Sequence, residues 1–187
     1  MIIIKTSDSG EVGRFIAGRL DGPESMLIHV AREPVVSTGQ LNTLDLVECE
    51  RRGLYVGKWE YLGGTIVVMP GDLSMCIVTW GESDLAQQIV DTVAEWLAGR
   101  GIEVTRDGND VMAYGKKVVS WARATNRNGW CQSVVHFSVG PMDLDLVRAI
   151  CTKPMVKVPG SLGKYGISAN DILAELAACG LLKGDLK

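Results

Sequence analysis

Two hydrophobic periods alternate along this chain. Short runs of apolar or alternating residues predict strands over 2–4, 26–31, 35–37, 65–69 and 74–80, and again over 103–106, 110–114, 117–122 and 131–139. Helical spacing appears between them. Val12, Phe15, Ile16 and Leu20 form one such set, and Leu44, Val47 and Glu50 another that Gly53 ends. The clearest helix starts at a Ser83 cap, carries Leu85, Ile89, Val93, Trp96 and Leu97 on one face, and stops at Gly99. Helices over 143–150 and 171–178 close the chain, the second opened by Ser168 with Asp171 three residues on, the spacing of a capping box. Turn pairs at Asp107-Gly108, Gly115-Lys116 and Asn128-Gly129 join the later strands as hairpins, which makes that part of the sheet antiparallel. Runs of strands broken by helices, without strict βαβ alternation, predict an α+β fold: one mixed, largely antiparallel sheet flanked by helices. With no linker, repeat or low-complexity tract, residues 1–187 read as a single domain.

Composition narrows the classes of function. At 187 residues, 47% of them hydrophobic, the chain can bury a full core without a metal or disulfides. Nineteen Lys and Arg against 22 Asp and Glu leave a net charge of -3, so no whole-protein basic field invites nucleic acid. The apolar runs fall far short of the roughly 20 residues that span a bilayer. The first residues lack the basic region and cleavage site of a signal peptide, and no membrane association is expected. Five cysteines, an odd number without a CxxC pair, predict reduced thiols and a cytoplasmic protein. His29 and His136 stand alone as histidines, with no metal-ligand spacing, so no metal site is expected from the protein's own residues.

Candidate chemistry concentrates in two places. In the first, Asn109, Asp110, Lys116 and Lys117 crowd a strand-turn-strand; alternation puts Asp110, Met112 and Tyr114 on one face and Asn109, Val111 and Ala113 on the other. Lys117, opening the partner strand, could reach a pocket on one face and hold a carboxylate or phosphate there, or could simply solvate a hairpin. In the second, Leu62-Gly63-Gly64-Thr65 and Pro70-Gly71-Asp72-Leu73 bracket a strand. Paired glycines either let a ligand approach the backbone or make an ordinary bend. His136 reads as a core imidazole, and Cys131 and Cys151 as small buried residues rather than nucleophiles. Trp59, Tyr61, Trp121 and Trp130 flank the two loops as core packing or as a ligand wall.

Taken in order, these segments resemble the biotin/lipoate protein ligase and octanoyltransferase superfamily. Pro34-Val35-Val36-Ser37-Thr38-Gly39-Gln40-Leu41-Asn42 looks like the early strand and turn of lipoate ligases. Gly63-Gly64 followed by Pro70-Gly71-Asp72-Leu73 looks like their Gly-Gly loop and later Pro-Gly-Gln-Leu turn, and Asn109-Asp110 with Lys117 like their Asn-Asp plus Lys hairpin. The resemblance spans about residues 34–150. It implies the biotin/lipoate ligase-like fold and acyl transfer, of lipoate or octanoate, to a lysine of a lipoyl-type carrier protein domain. It further implies ATP with Mg as the activating partners, Lys117 as the catalytic cation, Asp110 and Asn109 near the metal-phosphate or incoming amine, and Gly63, Gly64 and Thr65 along the acyl chain. The pattern is broken where ligases carry an arginine, here Trp59-Glu60-Tyr61-Leu62, and at their histidine, here Met69. The transferases' Pro-Cys-Gly corresponds to Val158-Pro159-Gly160. The alternative is a catalytically silent relative that binds a ligand or a protein partner.

Overall fold

Strand-forming residues with buried neighbours on both sides set the centre of the molecule. In the computed structural model, which describes residues 1–8, 10–12, 15, 23–39, 43–58, 64–81, 83–182 and 185–186, β6 (Leu73–Trp80) and β10 (Trp130–Phe137) are buried almost end to end. Their near-continuous apolar sequence is what a strand covered on both faces needs. Around them lie β1 (Ile2–Thr6), β2 (Ser25–Val30), β7 (Val104–Asp107), β8 (Asp110–Ala113), β9 (Lys116–Thr125) and β11 (Asp185–Leu186). The order across this eight-stranded sheet is β11-β1-β2-β6-β10-β9-β8-β7, parallel where β1 meets β2 and β11, antiparallel elsewhere. A second sheet of three strands, β4 (Tyr55–Lys58), β3 (Val35–Thr38) and β5 (Thr65–Val68), stands apart from it. The α+β class and the mixed, largely antiparallel pairing follow the sequence reading. The single sheet does not, because β3 pairs with β4 and β5 instead of joining the larger array.

One face of the large sheet carries the main core. Helix α2 (Leu85–Gly99) buries Ala86, Ile89, Val90, Val93 and Leu97 against it, and α4 (Ala169–Ala178) adds Ile172 and Leu176. The capping box of α4 is present: Ser168 Oγ accepts from Asp171 N at 3.2 Å while Asp171 Oδ2 accepts from Ser168 N at 2.8 Å. The cap of α2 falls on Asp84, one residue past the expected Ser83, whose Oγ accepts from Leu85 N at 3.3 Å. Helix α1 (Leu46–Arg51) forms where expected, but with another face inward. Cys49 is buried while Val47 is 77% exposed, because Leu44 precedes the Asp45 cap. Together with α3 (Leu144–Ile150), α1 packs on the small sheet through Val36, Val67, Met69, Leu146, Val147 and Ile150. Residues 10–12 and 15 are helical, in line with the first helix expected; its Ile16 and Leu20 lie outside the described residues.

Two details of the β8–β9 hairpin position everything below. Its two-residue turn is Tyr114-Gly115, with φ of 47° and 72°, one residue earlier than the expected Gly115-Lys116. Both central residues need positive φ in this turn. Tyr114 accepts it where its ring packs 5.3 Å from that of Tyr165 and its hydroxyl donates to Gly101 O. Further along, Val111 pairs with Val119 but Met112 pairs with Lys117, so Val118 is an extra residue, a β-bulge.

Glycines close the other end. A Cβ on Gly140 would run into the carbonyl oxygen of Pro70, where the 69–72 turn meets the segment after β10. Gly140→Ala is therefore expected to destabilise the chain by about 3 kcal/mol, as a forced backbone displacement does, lowering the melting temperature by roughly 6–12 °C for a chain of this size. Gly99→Ala, with open space around the added methyl, should leave the melting temperature unchanged or raise it slightly; thermal denaturation of the two variants checks this.

Candidate functional site

Between the polar face of the large sheet and the small-sheet unit lies a cavity of about 410 Å³, within the range that takes a small ligand. Its apolar wall is made by Ile66 and Val67 of β5, Met142, Val147 of α3 and Met155; its polar floor holds Asp110, Lys117, Ser120, His136 and Ser138. The floor follows from strand pairing. His29, Ser74, His136, Ser120 and Asp110 are successive partners across β2, β6, β10, β9 and β8. Directly paired residues share a face, so five polar residues, one from each of five strands, become one row.

The bulge completes it. Lys117 and Ser120 are three residues apart and would face opposite ways in a regular strand. With Val118 inserted, Val118 and Val119 both enter the core while Lys117 and Ser120 both line the cavity. The backbone of Lys117 is held by the 158–160 segment, its N–H donating to Val158 O at 2.9 Å and its carbonyl accepting from Gly160 N at 2.7 Å. A Cβ on Gly160 would sit 2.9 Å from Lys116 Cβ and 3.0 Å from Val118 Cγ1, so only glycine lets the 158–160 segment come this close. Among the described residues nothing hydrogen-bonds or pairs with the Lys117 ammonium, which leaves an unpaired cation at the floor of a largely apolar cavity.

Asp110 differs. Lys157 Nζ donates to Asp110 Oδ2 at 2.7 Å and to Asp107 O at 2.8 Å, and lies 3.1 Å from Asp107 Oδ2. These carboxylates raise the Lys157 pKa, the hydrogen bond to Asp110 first. Beneath them, Asp72 is fully buried. Its Oδ1 accepts from Val139 N and Gly140 N at 2.7 Å each, and its Oδ2 accepts from Met69 N at 2.8 Å. His136 Nε2 lies 3.3 Å from Ser138 Oγ and 3.5 Å from Asp72 Oδ2, and Nδ1 lies 3.1 Å from Ser74 Oγ. Burial pushes the His136 pKa down, and that of His29 likewise.

Of the residues singled out in the sequence, Gly64, Thr65, Asp110 and Lys117 line this cavity. Thr65 Oγ1 is engaged by the hydroxyls of Thr38 and Thr43, at 2.8 and 2.7 Å. Asn109 is exposed in the β7–β8 turn and is not on the lining, since it faces away from Asp110. Gly63 and the 59–62 segment lie outside the described residues. No group of three acidic, His or Cys side chains able to hold a metal occurs among the described residues. Ser120, His136, Ser138 and Lys157 also line the cavity; the sequence reading does not offer them as site residues, because Ser120 and His136 meet only once β9 and β10 are paired and Ser138 and Lys157 lie outside the strands. All five cysteines are free. Cys151 on the cavity rim has its pKa raised by burial, and Cys76 is pushed up to about 12, which opposes thiolate chemistry at either. Among the described residues no helix is long and apolar enough to cross a membrane.

No family model matches the chain, and no curated protein sequence does. Solved structures do. The bipartite lipoate protein ligase of Thermoplasma acidophilum, studied with its E2 lipoyl domain, superimposes with a TM-score of 0.71 at 16% identity, over 100% of this chain and 86% of that one. A lipoate-protein ligase A bound with ATP gives 0.70 at 16% identity, over 100% and 88%. A biotin protein ligase from Leishmania major, in complex with biotinyl-5-AMP, gives 0.52 at 12%, over 96% and 72%. The chain has the lipoate/biotin ligase-like fold.

Because His29 and His136 titrate below their ordinary 6.5 in the folded state, the unfolded chain binds more protons between the folded values and 6.5. Stability therefore rises with pH through that window and is lost as pH falls through it from about 6.5. The melting temperature is expected to drop on acidification from about pH 6.5, with a shallower slope in His136→Gln; an unchanged slope would mean that His136 is not neutral in the fold.

Proposed function

We propose that this chain binds a carboxylic acid with an extended apolar tail, lipoate or octanoate, and attaches it to a lysine of a lipoyl-type carrier domain in the cytoplasm. The observation that supports this most is the unpaired Lys117 ammonium at the polar floor of an apolar cavity, on a fold shared with lipoate-protein ligases. An ammonium fixed there meets a carboxylate, and the walls from Ile66, Val67, Met142 and Val147 meet its hydrocarbon tail. Gly64 leaves room beside the tail, and Thr65, its hydroxyl already bonded, offers its methyl group.

A carboxylate is a poor electrophile, so attachment needs a leaving group. In the ligase reading, a carboxylate oxygen attacks the α-phosphorus of ATP and pyrophosphate leaves. The neutral ε-amine of the carrier lysine then attacks the carbonyl carbon, the C–N bond forms, the C–O bond to phosphate breaks, and AMP departs as the amine loses its proton. Lys117 holds the oxygens that carry negative charge in both steps. The residues present fit a phosphate better than Mg: Lys117 is free to bind an anion, whereas Asp110, the one carboxylate on the lining among the described residues, is already neutralised by Lys157. That same Asp110–Lys157 pair favours a second reading, a chain that binds the acyl acid without activating it.

A thermal-shift and intact-mass screen with lipoate, octanoate, biotin and ATP separates the two. A raised midpoint with acid and ATP together and a retained adenylate mass support the ligase; a shift with acid alone and no AMP release supports the binder. In either case Lys117→Ala is expected to lose about ten- to a hundredfold in acid affinity, the worth of a charge-assisted bond. Lys116→Ala, paired opposite Ala113 on the other face, should change it little. Equal affinity in wild type and Lys117→Ala would remove the site from consideration.

A further inference from the structure

Two serines on the cavity floor are nearly shut off from bulk water, Ser120 at 8% and Ser138 at 5% exposure. The Ser120 hydroxyl has no hydrogen-bond partner among the described residues, an uncommon state for a buried polar group. Ser138 is bonded on one side, and His136 decides which. The Asp72 carboxylate can only accept, and it lies on the Nε2 side of the ring, so the proton of the neutral imidazole belongs on Nε2. Burial keeps the ring neutral. Nδ1 then accepts from the Ser74 hydroxyl, and Nε2–H points to Ser138 and Asp72. Ser138 Oγ thus accepts a hydrogen bond from the ring and keeps its own O–H to donate. The nearby carbonyl of Val139 is already taken by Ser161 Oγ and Gly163 N, and Asp110 by Lys157.

We infer that Ser120 and Ser138 are binding residues of this site, forming with the Lys117 ammonium a floor of donors for the oxygens of an acyl group, and that His136 and Asp72 are positioning residues that turn the Ser138 hydroxyl toward the ligand. This rests on the acyl-acid reading given above. In the ground state the two hydroxyls and the ammonium share the carboxylate oxygens. When an amine attacks the activated carbonyl, its oxygen gains negative charge and the same donors, already oriented, bind it more strongly. Lys117 supplies charge; the serines supply direction.

Titration calorimetry of the full chain with octanoate and with lipoate tests this. Ser138→Ala and Ser120→Ala are each expected to weaken binding roughly tenfold, while Ser138→Thr, which keeps the hydroxyl, stays within about threefold of wild type. His136→Leu should cost as much as Ser138→Ala, and the double variant no more than either alone, because the ring acts through that hydroxyl. Additive losses in the double variant would overturn the positioning role. Wild-type affinity in both alanine variants, with Lys117→Ala still impaired, would overturn the serine assignment and leave the acyl reading standing; failure of wild type to take up either acid would overturn both. Should His136→Leu not fold, the Ser138 Ala and Thr pair decides the matter.

Discussion

One inserted residue in β9 governs which side chains the large sheet shows to each face. Without Val118 as a bulge, Lys117 would turn into the layer that α2 and α4 cover, where an ammonium has no partner and no water. With it, two consecutive valines enter the core and the chain returns to register with Lys117 and Ser120 facing the cavity. The insertion is tolerated because β9 is clasped by the 158–160 segment just beyond the end of its pairing with β10, and Gly160 leaves room for the close approach. Core packing and site chemistry are therefore not separable at this hairpin.

A second constraint acts at the far end of the floor. Asp72 places a carboxylate at zero exposure, and three backbone N–H groups from two different segments converge on it. A carboxylate so satisfied is a rigid strut between the 69–72 turn and the 139–140 segment, and its remaining influence falls on His136. The polar row then runs from a fixed acid, through a neutral ring, to hydroxyls at the cavity surface. In an effective dielectric far below that of water, such a row keeps its orientation without spending mobility when a ligand arrives.

Most strands and the helices α1 to α4 could be read from the chain because their apolar periods and caps are local properties: the Leu85, Ile89, Val93 and Leu97 stripe and the Ser168-Asp171 box need no partner to be seen. The small sheet was not legible. Tyr55–Lys58 is short, contains Gly57, and becomes a strand only by pairing parallel with β3. The site divides the same way. Lys117, Asp110 and Gly64 stood out beside turns, whereas Ser120, Ser138 and His136 each look like a stray polar residue until the register aligns them. Asn109 is the neighbour of Asp110 in the sequence, yet it falls in the turn before β8 and is exposed. The one-residue displacement of the hairpin turn has a comparable origin, since Tyr114 tolerates positive φ only with Tyr165 and Gly101 to hold it.

The link from Lys157 to Asp110 and Asp107 has a bearing on the solvent. It is the polar tie that fastens the 153–159 wall to the β7–β8 hairpin, and it sits where water and salt reach it, with a quarter of the lysine side chain exposed. The opposite wall is hydrocarbon. Dissolved ions act on the two in different senses: chloride salts screen the tie over about 10 Å at 0.1 M, whereas sulfate and other excluded salts also tighten apolar burial. The tie is thus the part of the cavity's boundary that responds to ionic strength through screening, while the hydrocarbon part responds to the kind of salt.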